Sequence, residues 1–306
     1  MIDSITIATR ESKLALWQAY FVRDQLQAAH PGLNVELLGM TTKGDRWLSA
    51  PLSEVGGKGL FVKELEVAML EERADIAVHS VKDLPAQMPE GFSLPVLAFR
   101  ADVEDVLVSP GGPLLDLPPG AKVGSSSLRR KTQLLALRPD LNIQPVRGNV
   151  GTRLDKLDSG EYDAIVLAAA GLKRLEIRRT DLHVLDIETC LPAPGQGALG
   201  IECRTGSAVL ELLEALRDPL VEQCVSAERG ISAGLGADCS LPVAAYAMPV
   251  EPGSGEIELQ ALLGSDDGTT ILRAQARGKD AAEVSRVVVQ ALYEQGAEDV
   301  LARLRA

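Results

Sequence analysis

Apolar positions recur along the first two-thirds of this chain with two alternating periods, near 2 and near 3.6, and the alternation predicts strands and helices in turn. Ser4 to Ala8 reads as a strand, and after the turn Thr9-Arg10-Glu11-Ser12 the residues Leu14, Trp17 and Phe21 share one face of a helix. Val35 to Met40 is the next strand. The turn Gly56-Gly57-Lys58-Gly59 leads into a second helix with Phe61, Leu65 and Ala68 inward, and Asp75 to His79 is again a strand. This is the grammar of a parallel sheet, whose ligand cleft lies off the carboxyl ends of its strands.

The grammar restarts at Asp105 to Ser109. Beyond loops marked by Pro110-Gly111-Gly112-Pro113 and Pro118-Pro119-Gly120 come a strand (122–124), a helix (127–137), a strand (142–146), a helix (151–157) and a strand (164–167) feeding Ala168 to Leu175. A second α/β domain is expected, with a cleft enclosed between the two. After Asp218 the pattern changes to a helix (221–233), three strand-like segments (242–248, 256–263, 270–277) and a helix from Ala281, which predicts a small antiparallel α+β domain.

Composition narrows the chemistry. A formal net charge of -12 argues against DNA, RNA or an anionic membrane as partner, so any anionic ligand must be held by a local cluster of guanidinium groups, which favours a small multivalent carboxylate. The three histidines, His30, His79 and His183, form no metal-binding spacing, and no metal is expected. Four cysteines lie far apart and read as reduced. No apolar run approaches the roughly 20 residues of a membrane helix. Met1-Ile2-Asp3-Ser4-Ile5 has no leader character, so the expectation is a cytoplasmic protein.

Three features carry candidate chemistry. Asp83, in His79-Ser80-Val81-Lys82-Asp83-Leu84-Pro85, sits where proline ends a strand at the cleft edge; it reads either as a proton-transfer group tuned by burial and charge or as a solvated turn aspartate paired with Lys82. Ser125-Ser126-Ser127-Leu128-Arg129-Arg130 and Arg147-Gly148-Asn149-Val150-Gly151-Thr152-Arg153 each place arginines at a helix start, as does Arg10 in the first domain. They read either as anion sites or as capped helices with exposed arginines. Cys239, in a loop bounded by Gly236 and Pro242, is the best nucleophile among the cysteines, or else a small semi-buried residue. Lys58 lacks the Walker spacing and suits a lid carrying one cation.

Together these residues resemble the hydroxymethylbilane synthase, or porphobilinogen deaminase, family. The matching blocks are 8–18, Gly56 to Glu64, His79 to Pro85, Val123 to Arg130, Arg147 to Arg153, Leu191-Pro192-Ala193-Pro194-Gly195-Gln196-Gly197-Ala198 and the Cys239 loop. The resemblance implies two domains like the lobes of bacterial solute-binding proteins, residues 1–98 plus 199–217 and residues 99–198, and an α+β domain, 218–306. It implies a transferase of porphyrin and heme biosynthesis, expected as a monomer, with porphobilinogen as substrate. Cys239 would carry one covalent dipyrromethane cofactor through a thioether, and Asp83 would be the catalytic acid and base. Lys82, Asp83, Ser127, Arg129, Arg130 and Arg147 would hold the cofactor, and Arg10, Ser80, Arg153, Arg174 and Lys58 the substrate. Gln196 falls in a matched block without an assigned role.

On that basis four porphobilinogen molecules lose ammonia in turn and are joined to the dipyrromethane primer, and hydrolysis then frees the linear tetrapyrrole. Ala237-Asp238 stands where the family usually has glycines, and the carboxylate beside Cys239 should disfavour its thiolate. The chief rival is a non-enzymatic, two-lobed anion-binding protein. A thiol acyltransferase pairing Cys239 with His79 is a weaker one.

Overall fold

In the computed structural model the described residues are 2–41, 62–237 and 241–305. They fall into two compact units, Met1–Arg100 with Ala198–Glu222, and Ala101–Gly197 with Gln223–Ala306.

The first unit opens with β1 (Ser4–Arg10), α1 (Lys13–Ala29), β2 (Asn34–Met40), α2 (Lys63–Leu70), β3 (Ile76–Ser80) and β4 (Phe92–Ala98). β1 lies parallel to both β2 and β3. Ser12 caps α1 by accepting the Ala15 amide. The buried face of α1 is Gln18, Ala19, Val22 and Leu26, one position round from the expected Leu14, Trp17 and Phe21. Small Ala19 and Val22 let the helix lie close on the sheet. The aromatics form a flanking row instead, Trp17 stacking on Phe21 at 5.2 Å and Phe21 meeting Phe99 edge-on at 5.1 Å. In α2, Leu65, Ala68 and Met69 are buried; Phe61 is outside the described residues.

The second unit begins with β5 (Asp105–Val108), β6 (Lys122–Gly124), α3 (Leu128–Leu137), β7 (Asn142–Gln144), α4 (Val150–Asp158), β8 (Ala164–Ala168), α5 (Ala169–Arg174) and β9 (Leu182–Leu185). They build a sheet of order β7-β6-β8-β5-β9, with β6 parallel to β7 and β8, and β5 antiparallel to β8 and β9. The chain then returns to the first unit as β10 (Leu199–Arg204), which lies antiparallel between β3 and β4 and completes the order β2-β1-β3-β10-β4. Both sheets are therefore mixed, not wholly parallel. At the crossing, Gly197 has φ +85° and a side chain there would meet the Ala101 carbonyl oxygen at 2.5 Å, so only glycine fits.

After α6 (Leu210–Leu213), α7 (Pro219–Gly234) leads to the antiparallel sheet β11 (Val243–Pro249), β12 (Ile257–Gly264) and β13 (Ile271–Gly278), then α8 (Ala281–Glu294) and α9 (Ala297–Arg305). Ala227 and Ile231 of α7, Leu259 of β12 and Val288 and Leu292 of α8 share one core. The fold is α/β with a small antiparallel C-terminal layer. No described helix is long and apolar enough to cross a membrane.

Candidate functional site

In the first unit the carboxyl ends of neighbouring strands β1 and β3 carry Arg10 and Ser80. Gln18, buried on α1, donates to Ser80 Oγ at 2.8 Å and ties the helix to the end of β3. The chain leaves β3 through a short 3-10 turn, Val81–Asp83, with Val81 buried as its anchor and the Leu84 amide closing onto the Val81 carbonyl at 3.0 Å. Pro85 then prevents further ladder pairing. Lys82 is half-buried and Asp83 exposed. What the turn provides is a carboxylate on a fixed backbone, open to a ligand. His79 is buried with its Nε2 2.8 Å from Glu202 Oε2.

In the second unit β6, β7 and β8 are adjacent, and each ends in an arginine-bearing turn or helix. Ser127 caps α3, its hydroxyl accepting the Arg130 amide at 3.4 Å. Asn149 caps α4 by accepting the Thr152 amide at 3.0 Å, Gly148 supplies the φ of +108° the turn needs, and Arg153 Nε donates back to the Gly148 carbonyl at 2.8 Å. Arg147 and Arg153 are half-buried. Arg174, at the end of α5, is buried and donates to the Gly197 carbonyl at 2.7 Å; burial lowers its pKa to about 10, which leaves it charged at neutral pH.

Arg129 and Arg130 are not exposed surface arginines. They are 4% and 6% accessible and both meet the wholly buried Asp105, Arg129 Nη2 at 2.8 Å from Oδ2 and Arg130 Nη2 at 2.6 Å from Oδ1. Arg129 also donates to the Leu191 carbonyl at 2.7 Å and Arg130 to the Val166 carbonyl at 2.8 Å. Burial, the largest single effect, would lower the Arg129 pKa, but the charges of Asp105 and Cys190 and the hydrogen bonds to both together outweigh it, and the net direction is upward. The Cys190 thiol beside them is pushed up to about 12, by burial first and the Asp105 charge second, and so stays neutral. Two cations thus face one anion. The Nε atoms of both arginines are buried without a hydrogen-bond partner among the described residues. Removing Asp105 would strand both charges, at about 3–5 kcal/mol for breaking such a buried pair.

This donor set, with a serine-capped helix start and one positive charge in excess, fits a ligand bearing carboxylates. Among the described residues no group of three or more potential metal ligands occurs. Cys239 and Lys58 lie outside the described residues. Local sequence reading missed Asp105, which is 25 residues from Arg130 in the chain. The one available signal was a carboxylate at the head of an otherwise apolar strand.

The second unit is thus an α/β domain in which three neighbouring strands each lead into an arginine-bearing turn or helix, two of those arginines meeting a buried carboxylate. Residues 5–211 match the family model described as porphobilinogen deaminase, dipyromethane cofactor binding domain, and residues 222–294 match porphobilinogen deaminase, C-terminal domain. The chain belongs to the porphobilinogen deaminase family, a family of transferases that build tetrapyrroles, and it carries that family's dipyrromethane-binding domain.

Among solved structures it is similar to the B. pertussis BvgS periplasmic domain, at 16% identity and a TM-score of 0.42, over 70% of this chain and 40% of that one. The chain therefore spans less than two-thirds of that protein. Similar too are the Bordetella pertussis BvgS periplasmic VFT2 domain, at 16% identity and 0.41 over 70% and 87% of the two chains, and the probable amino-acid ABC transporter extracellular-binding protein ytmK from Bacillus subtilis, at 12% and 0.44 over 71% and 91%.

Proposed function

We propose that this chain joins four porphobilinogen molecules, one after another and with loss of ammonia from each, to a dipyrromethane primer held on Cys239, and then releases the linear tetrapyrrole hydroxymethylbilane by hydrolysis. The observation that carries the reading is the Arg129–Asp105–Arg130 cluster, in which two buried guanidiniums share one carboxylate beside a helix start. The domain organisation of the reading is residues 1–98 with 199–217, 99–198 and 218–306.

Dipyrromethane would supply the free α-carbon for the first coupling, and the terminal ring of the growing chain that for each later one. Arg129, Arg130, Arg147 and Ser127, with Lys82, receive its carboxylates, and Arg10, Ser80, Arg153, Arg174 and Lys58 those of the incoming porphobilinogen. Fixed guanidiniums do this better than lysines because they offer two parallel donors to each carboxylate. Asp83 gives a proton to the departing amine, stabilises the cationic pyrrole by its charge, and takes the α-proton after coupling, so each cycle returns the acid it began with. The fixed turn of Val81–Asp83 favours that double role. Membership of the family weighs against a protein that only binds anions.

The test is incubation with porphobilinogen, following ammonia and tetrapyrrole, alongside the intact mass of the purified chain. Asp83→Asn is expected to retain the primer and to lower turnover by at least about a hundredfold, the usual scale of a lost acid–base group. Turnover at the unsubstituted rate would remove Asp83 from the reaction, and a chain whose mass shows no primer would remove the covalent mechanism.

A further inference from the structure

We propose that Gln196 is a positioning residue for the Arg129 and Arg130 guanidiniums, holding Asp105 so that the pair keeps its excess charge directed to an anionic ligand. This rests on the reading above that these arginines receive carboxylates.

Gln196 is wholly buried in a segment otherwise made of leucine, proline, alanine and glycine. A buried amide is unfavourable unless it is hydrogen-bonded. Its Nε2 donates to the Val103 carbonyl at 2.6 Å and to Asp105 Oδ1 at 3.0 Å, the same oxygen that accepts Arg130 at 2.6 Å. The other oxygen, Oδ2, faces Arg129 at 2.8 Å and the Cys190 thiol at 3.5 Å. Among the described residues that meet Asp105 are thus two charged donors, Arg129 and Arg130, and two neutral ones, Gln196 and the Cys190 thiol. The neutral ones fix its orientation without adding charge, and so preserve the imbalance of two cations against one anion. A carboxylate at position 196 would abolish that imbalance.

The backbone around Gln196 has little freedom. Its own amide donates to the Ala193 carbonyl at 2.9 Å, and the Gly195 amide to Glu228 Oε2, on α7, at 2.7 Å. On the other side the Gly197 carbonyl accepts both Arg174, at 2.7 Å, and the Ala101 amide, at 3.0 Å. The side-chain amide is thus presented to Asp105 from a clamped turn, and Arg174, a second candidate anion ligand, is held by the same turn.

Two measurements on the full chain test the role. The first is the affinity of mellitate (benzenehexacarboxylate), read from the shift of the thermal midpoint, in the Cys239→Ser background, where by the reading above no primer covers the arginines. Gln196→Met should weaken mellitate roughly tenfold, and Gln196→Glu, which adds an opposing charge, should weaken it further. In an Asp105→Asn background Gln196→Met should add nothing, because the residue acts through Asp105. A purely structural role would lower the midpoint without ligand and leave this graded loss of affinity absent. The second is the intact mass of the purified chain with Cys239 intact, where the primer-bearing fraction should fall in Gln196→Met and further in Gln196→Glu, because by the reading above these arginines hold the primer.

Unchanged mellitate affinity in both variants, equal loss with and without Asp105, or a Cys239→Ser chain that mellitate does not stabilise overturns the proposal. If Gln196→Met does not fold, Gln196→Glu, of the same size, carries the comparison. Graded loss of mellitate affinity in a chain that does not consume porphobilinogen would sustain the positioning role and refute the proposed reaction.

Discussion

At the scale of single residues, the decisive feature is that burial and then the Asp105 charge both hold the Cys190 thiol neutral, whereas at Arg129 the same Asp105 charge works against burial and helps to keep the guanidinium charged. The consequence is a thiol that cannot act as a nucleophile although it lies against two guanidiniums. Cys203 and Cys224 are buried as well, and burial raises the Cys203 pKa. Thiolate, not thiol, is alkylated. Iodoacetamide at about pH 8 is therefore expected to leave Cys190, Cys203 and Cys224 unmodified in the native chain and to label all three after denaturation. Peptide mass mapping checks this, and native labelling of Cys190 would contradict the neutral thiol. The sequence placed the arginines at the right turns but not in the right surroundings. Their shared carboxylate belongs to a strand distant in the chain, and no local period or spacing encodes such a pairing.

At the scale of elements, α2 carries a strained carboxylate. Glu66 is raised in pKa first by burial and then by the charge of Glu202, with His79 and Lys63 pulling it back. Because the folded chain binds this proton more tightly than the unfolded one, the group's contribution is fully present below the unfolded pKa and is lost as pH rises through the folded one. At neutral pH the ionised group therefore opposes folding. Glu66→Gln should raise the thermal midpoint at about pH 7.5 and give little or no gain at about pH 4, a difference visible by calorimetry or circular dichroism. The same gain at both pH values would mean that charge is not the cause.

Strand-helix alternation was legible in the sequence because β1, β3 and β8 carry apolar runs and because serine and asparagine caps mark the helices that follow β1, β6 and β7. Ser12, Ser127 and Asn149 do cap α1, α3 and α4. The antiparallel direction of β5 and β10 was not legible, since a strand's own pattern does not name its partners. Trp17 and Phe21 do share a side of α1, but the residues that it buries most deeply, Ala19 and Val22 among them, are small and stand out less in the sequence.

At the scale of the whole molecule, the two five-stranded sheets share one plan, in which the fourth strand runs against its neighbours. In each case that strand is the first one formed after the chain crosses between units: β5 follows the passage at Ala101 and β10 the passage at Ala198. The resemblance to a known family supplied the return of the chain near Leu199, which periodicity could not. The net charge of -12 and the buried cationic cluster are likewise consistent with each other only once the cluster is seen to be local.

The placement of β10 governs the order in which this protein can be made. Its residues emerge from the ribosome roughly a hundred positions after β4, so during that interval β3 and β4 lack the partner that later sits between them. Unpaired edges of this kind invite association with other chains. A fragment ending at Arg100 should accordingly show no cooperative thermal transition and should aggregate, whereas one with a sharp transition would mean that the early strands close up without β10. Synthesis of the nascent chain thus has a vulnerable window that ends only when Arg204 has left the exit tunnel.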